Sequence, residues 1–148
     1  MKFALFLLAS WLAFGQTAAQ PEDELARIQA EPNAEKRARA ALDHADEALK
    51  QAHDAYAKGD DSATSAHLEA VEQLVELADS SLKQSGKNPS RSPKHFKAAE
   101  LRTRDLLRRL EGFREQMSVA DRPIVDRVMA EVQKIHDALL EGIMGKKK

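Results

Sequence analysis

The chain contains no cysteine. A disulfide framework, a thiol nucleophile, an iron–sulfur cluster and a Cys-ligated zinc are therefore excluded, as is c-type haem attachment through Cys-x-x-Cys-His. Aromatic residues are scarce: one Trp, one Tyr and five Phe in 148 residues, with Phe3, Phe6, Trp11 and Phe14 at the very start. Neither sign of charge is in excess, since 23 Lys and Arg face 24 Asp and Glu for a net charge of −1. That balance excludes a globally basic nucleic-acid binder, though not a local basic patch. There is no Gly-rich phosphate loop, and no Gly-x-Ser-x-Gly or Ser-x-x-Lys in a recognisable catalytic context, so no catalytic residue is assigned and an enzyme is not expected.

Long apolar runs are also missing, with one exception at the N-terminus. Met1-Lys2 is a short positive start, Phe3 to Phe14 is almost unbroken apolar sequence, and Gly15 to Ala19 is small and polar. This order is that of a secretory signal peptide, with cleavage expected after Ala19. The run of about 12 residues is well short of the roughly 20 that span a bilayer. Without a cysteine to acylate, the exported product is not a lipoprotein. The expected location is the periplasm or the medium, with no membrane span once the signal is removed. That compartment permits disulfides. A chain that forgoes them there depends on its core alone, and about 130 residues suffice for one.

What is abundant is helix-forming sequence. Ala, Leu, Glu, Lys, Gln and Arg dominate residues 34–145, while Gly and Pro concentrate at the joints. Asn33 is placed to cap a first long helix whose apolar stripe is Ala38, Leu42, Ala45, Leu49, Ala52 and Tyr56. Gly59 ends it and an Asp caps the next. The second stripe is Leu68, Val71, Leu74, Val75, Ala78 and Leu82, closing at Ser85-Gly86. Ser92 is the expected cap of the third helix, with Pro93 in its first position. Its stripe is Phe96, Ala99, Thr103, Leu106, Leu110, Phe113 and Met117. Ser118 with Asp121 reads as a capping box before the fourth stripe, Val125, Val128, Val132, Ile135 and Leu139.

Spacings that alternate between three and four favour shallow crossing angles. The predicted architecture is all-α: an antiparallel four-helix bundle of two long helical hairpins over residues 34–145. A 20–33 segment, either a short helix or disordered, precedes it, and a basic tail 146–148 follows. Leu77 and Leu101 project about 130° and 160° away from their stripes. They are expected either to stand exposed, as scattered Leu often does, or to receive Leu25 and Ile28 or a second copy of the chain. Met129, His136 and Leu140 widen the apolar face of the last helix, which would suit a homodimer.

Charge is segregated along the chain. Residues 20–82 carry 15 acidic and 6 basic side chains, a net of −9; residues 83–148 carry 9 and 16, a net of +7. One expectation is that the two hairpins attract each other. The other is that Lys87, Arg91, Lys94, Lys97, Arg104 and Arg108 form a patch for an anionic partner, either an unknown protein or an envelope polymer. Nucleic acid is not the expected partner, because no aromatic residue interleaves this loop for base stacking. No metal ligand set and no cofactor is assigned: no Glu-x-x-His pair is present, and His53, His67 and His136 would have to converge across helices to bind a metal.

Tyr56-Ala57-Lys58-Gly59-Asp60-Asp61-Ser62-Ala63 resembles the inter-helix turn of a tetratricopeptide repeat, over that one turn, without the 34-residue period. Ser92-Pro93-Lys94-His95-Phe96-Lys97-Ala98-Ala99-Glu100-Leu101-Arg102-Thr103-Arg104 and Ala120-Asp121-Arg122-Pro123 resemble uncharacterised exported helical proteins of soil bacteria. That resemblance spans the C-terminal half and implies export and a helical fold, with no activity and no site residue to carry over. The functional expectation is a non-catalytic binding or scaffolding module of the bacterial cell envelope. The alternatives are a metal- or cofactor-carrying periplasmic bundle and a self-associating structural protein.

Overall fold

The computed structural model describes residues 21–145. The expected signal peptide, its cleavage point and the basic tail lie outside them. All regular structure among the described residues is helical: α1 (Pro21–Gln29), α2 (Ala34–Ala57), α3 (Asp61–Gln84), α4 (Lys94–Gln116) and α5 (Arg122–Met144). No described helix is long and apolar enough to cross a membrane.

The helix ends follow from local chemistry. Asn33 Oδ1 accepts from the Lys36 amide at 2.9 Å and starts α2. At its far end Gly59 takes φ +74°, a left-handed conformation that suits Gly. The Asp60 amide then reaches the Ala55 carbonyl and the Gly59 amide the Tyr56 carbonyl, each at 3.0 Å. This reciprocal pair is the Schellman closure. Asp60 in turn caps α3 by accepting from the Ala63 amide at 2.9 Å.

Two expected caps differ. The residue flanking α4 is Pro93, which makes no side-chain cap bond, so Ser92 is one position too early to serve. Asp121 flanks α5, also without a side-chain cap bond. The Ser118 hydroxyl is turned instead onto Asp121 Oδ2 at 2.6 Å. Tyr56 explains the change: its hydroxyl donates to the same Asp121 oxygen at 3.1 Å and accepts from the Ser118 amide at 2.8 Å. A side chain at the end of α2 thus organises the turn between α4 and α5.

Every stripe residue from α2 to α5 is buried except Tyr56, which is half-buried. Leu68, Val71, Val75, Leu106, Leu110, Val125, Val128 and Val132 have no exposed surface. Burying each such side chain contributes about 1.5–3 kcal/mol. On α2 a second row, Ala41, Ala48 and Ala55, is buried as well. Their lack of bulk lets α2 and α3 approach closely, and this is the most extensive helix pair in the molecule.

Long-range pairs fix the directions of the helices. Arg37 near the start of α2 donates to Ser81 and Gln84 at the end of α3, so the two run antiparallel. Arg114 of α4 pairs with Asp126 of α5, and Thr103 meets His136, so α4 and α5 also run antiparallel. Between hairpins the direction is parallel: Glu35 with His95, Asp46 with Arg109 and His53 with Gln116 step along α2 and α4 together. The helices meet in the cyclic order α2, α3, α5, α4, and the α2 and α5 backbones make no close approach. The loop 85–93 therefore crosses beneath the ends of the helices. It rests on α5 at Gly142, where an added Cβ would come within 3.2 Å of Pro89.

Within the expected 20–33 segment, α1 is a docked helix. Ile28 is buried, Leu25 and Leu77 are half-buried against the core, and α1 packs on both α2 and α3. Leu101 is not covered in this way and remains 56% exposed. On the wide face of α5, His136 is buried, while Leu140 and Met144 are exposed.

Candidate functional site

Part of the charge split is consumed between the hairpins. Asp46 of α2 is held by Arg102 and by Arg109 of α4, the latter at 3.0 Å, and Arg102 also reaches Asp43 at 2.8 Å. Burial works against charge on Arg102, but hydrogen bonds to Asp43 and Asp46 outweigh it and raise its pKa further. Arg127 of α5 lies 3.6 Å from Glu69 and 3.5 Å from Glu72 of α3. Lys87 and His95 both pair with Glu35, His95 at 3.1 Å. In each of these pairs the acid comes from the first hairpin and the base or histidine from the second.

The six basic residues singled out in the sequence accordingly separate. Lys87 is engaged by Glu35, Arg104 by Glu100 at 2.5 Å, and Arg108 by Asp105 on its own helix. Arg91, Lys94 and Lys97 make no ion pair among the described residues. They occupy the end of the crossing loop and the first turn of α4.

Beside Lys94 a groove of about 610 Å³ opens between α2 and α4. Its origin is steric. The two helices are bridged at Glu35–His95 and again at Asp43/Asp46–Arg102, and between these bridges the facing residues Ala38, Ala98 and Ala99 are too short to fill the gap. Leu42 of α2 and Leu82 of α3 form the floor, and the exposed Leu101 forms one wall. The rim carries Lys36, Arg39 and Lys94. Lys36 and Arg39 belong to the acidic half of the chain and were not singled out from sequence. Their three-residue spacing puts them on one helix face, but only the neighbouring α4 shows which face borders the groove.

Glu35 on this rim is an ionised acid. Its carboxyl is held below the usual range first by the hydrogen bond from Lys87, which is opposed by desolvation and assisted by the charges of His95, Lys87 and Lys94. The reverse holds on the α3–α5 side. Burial, then the charges of Glu131 and Glu72, push Glu76 above the ordinary value, with Lys134 opposing. These directions have opposite consequences for stability. A carboxyl lowered in the folded state contributes stability above its unfolded pKa, and that contribution disappears as pH falls through the folded value. A raised carboxyl costs stability at neutral pH, and the cost disappears as pH falls. Glu35→Gln should therefore lower the melting temperature at pH 7, and Glu76→Gln should raise it, the latter through a stability gain of about 0.2–0.5 kcal/mol from relief of like charge at the surface. Both differences from the parent should shrink as pH falls from 7 through the carboxylate range in thermal unfolding followed by circular dichroism. Parallel curves across that range would contradict the assignment.

His53, His67 and His136 do not converge. His53 bonds Gln116 at 2.7 Å and lies against Phe113. His67 borders a small recess with Glu24, His44 and Glu47. His136 is sealed between α4 and α5, its Nδ1 3.1 Å from the Thr103 hydroxyl and its Nε2 3.7 Å from buried Glu100. Among the described residues no group of three His, Asp or Glu is placed to hold a metal ion. No family model matches this chain, nor does any curated protein sequence or solved structure.

Proposed function

We propose that the protein is an exported, non-catalytic binding module of the bacterial cell envelope. In this reading residues 1–19 direct export and are removed. Residues 34–145 form a four-helix bundle of two hairpins, buttressed by α1. The basic end formed by Arg91, Lys94 and Lys97 meets an anionic envelope polymer or an acidic protein surface. The observation that carries this is the contrast in pairing. Lys87, Arg102, Arg109 and Arg127 are matched to carboxylates of the first hairpin, whereas Arg91, Lys94 and Lys97, within seven positions, make no ion pair among the described residues. Unmatched cations in one place raise the local potential and attract anions in a way that salt screens.

The test is to reverse Arg91, Lys94 and Lys97 to Glu together and compare pull-down from envelope extract with the parent. Lys87 and Arg104 are left intact, because reversing them would set a carboxylate against Glu35 or Glu100. Capture by the parent should fall with rising salt, and the triple variant should capture about tenfold less at low salt. Unchanged capture by a folded triple variant would overturn the proposal.

A further inference from the structure

We infer that the α2–α4 groove is a binding site for a single-tailed anionic amphiphile, an alkyl chain ending in a carboxylate or phosphate. The inference concerns a site beside the proposed envelope surface, and the two share only Lys94.

Three features support it. First, the groove, at about 610 Å³, lies within the ~300–1,000 Å³ range of small-molecule sites. Second, its depth and its edge differ in character. Leu42, Leu82 and the alanines are apolar, whereas Lys36, Arg39 and Lys94 at the mouth have no ion-pair partner among the described residues. Long basic side chains lay their methylene stems along apolar surface and hold their charge at the water boundary. An alkyl chain in the trough would leave its anionic head among these charges. Third, the acidic group on the rim is already neutralised, since Glu35 is paired with Lys87 and His95. Arg102 is likewise saturated by Asp43 and Asp46. The uncompensated charge of the mouth is therefore positive, which favours an anion over a neutral or cationic head. Leu101, 56% exposed beside this opening, would be covered by the alkyl chain.

The experiment is isothermal titration calorimetry of the purified protein with dodecanoate and with dodecyl phosphate, each below its micellar concentration. Dodecyl maltoside, dodecyltrimethylammonium and inorganic phosphate serve as comparisons. Both anionic amphiphiles should bind at least about tenfold tighter than the neutral and cationic ones, and phosphate alone should not compete. The tighter of the two anions identifies the head group as fatty-acid-like or phospholipid-like. Leu101→Asp and Ala98→Leu alter exposed positions, so folding is preserved, and each should weaken binding about tenfold or more. Lys36→Glu with Arg39→Glu should weaken the anionic probes only. Equal binding of dodecyl maltoside, or full affinity in Leu101→Asp, would overturn the inference.

Failure here is distinguishable from failure of the envelope reading. Arg91→Glu with Lys97→Glu should reduce envelope capture and leave dodecanoate affinity unchanged, whereas Leu101→Asp should do the opposite.

Discussion

Leu106→Ala is expected to cost about 3–4 kcal/mol of folding stability, whereas Leu101→Ala, five residues away on the same helix, should cost less than about 0.5 kcal/mol. Leu106 has no exposed surface and sits in the middle of α4, where α5 and α2 both pack. Truncation removes three heavy atoms from the core and leaves a cavity that rigid helices on either side cannot fully close. A domain of this kind has roughly 5–15 kcal/mol in total, so the loss is a large share. Urea unfolding should show a lower midpoint at unchanged slope, and the thermal midpoint should drop by about 10 °C or more. Leu101 is more than half exposed, and truncating it removes little buried contact. Equal losses for the two variants would show that the faces of α4 are assigned wrongly.

Asp46→Arg is expected to be the most damaging single surface change, at about 2–3 kcal/mol. Asp46 accepts from both Arg102 and Arg109, and its side chain is only 28% exposed. Exposed ion pairs are individually worth little. Here one carboxylate joins two guanidinium groups across a helix pair, and reversal replaces two attractions by two repulsions at an effective dielectric well below that of water. Asp46→Asn, which only removes the charge, should cost less, about 1 kcal/mol. The gap between the two variants should narrow at 1 M salt, where the screening length falls to about 3 Å. Adding Arg109→Glu to Asp46→Arg should recover part of the loss by restoring one opposite-charge pair, since Arg109 pairs with Asp46 and with no other carboxylate among the described residues. No recovery and no salt dependence would mean that the hairpins dock through apolar contact alone.

The stripes were legible in the sequence because helical periodicity is a local property. A residue's angle about the helix axis depends only on its position, so Leu68, Thr103, Leu110 and Val132 could be placed inside from spacing. The turn at Gly59-Asp60 was legible for the same reason, since its hydrogen bonds close within six residues. The start of α5 was not. Its expected capping box is redirected by Tyr56, more than 60 positions earlier, and no local pattern contains that partner.

The candidate site was legible only in fragments. Lys94 and the outward-facing Leu101 were visible as a basic residue and a misplaced apolar one. Lys36 and Arg39 could not be joined to them, because nothing in either segment states that α2 and α4 lie side by side and parallel. Nor could the basic stripe be divided. Lys87 and Lys97 look alike in sequence, yet one is matched by Glu35 across the helices and the other makes no ion pair among the described residues.

The sequence by itself determined that the described chain is helical, where its helices turn, which faces are buried, and that its two halves carry opposite charge. Composition and periodicity suffice for these, because each follows from interactions within a few turns of one helix. The tertiary structure decided which helices are neighbours, which charges cancel, that His136 is sealed against Thr103 and Glu100, and that alanines facing each other between two side-chain bridges leave a groove. Those outcomes depend on distances between residues dozens of positions apart, which packing sets and local pattern does not encode.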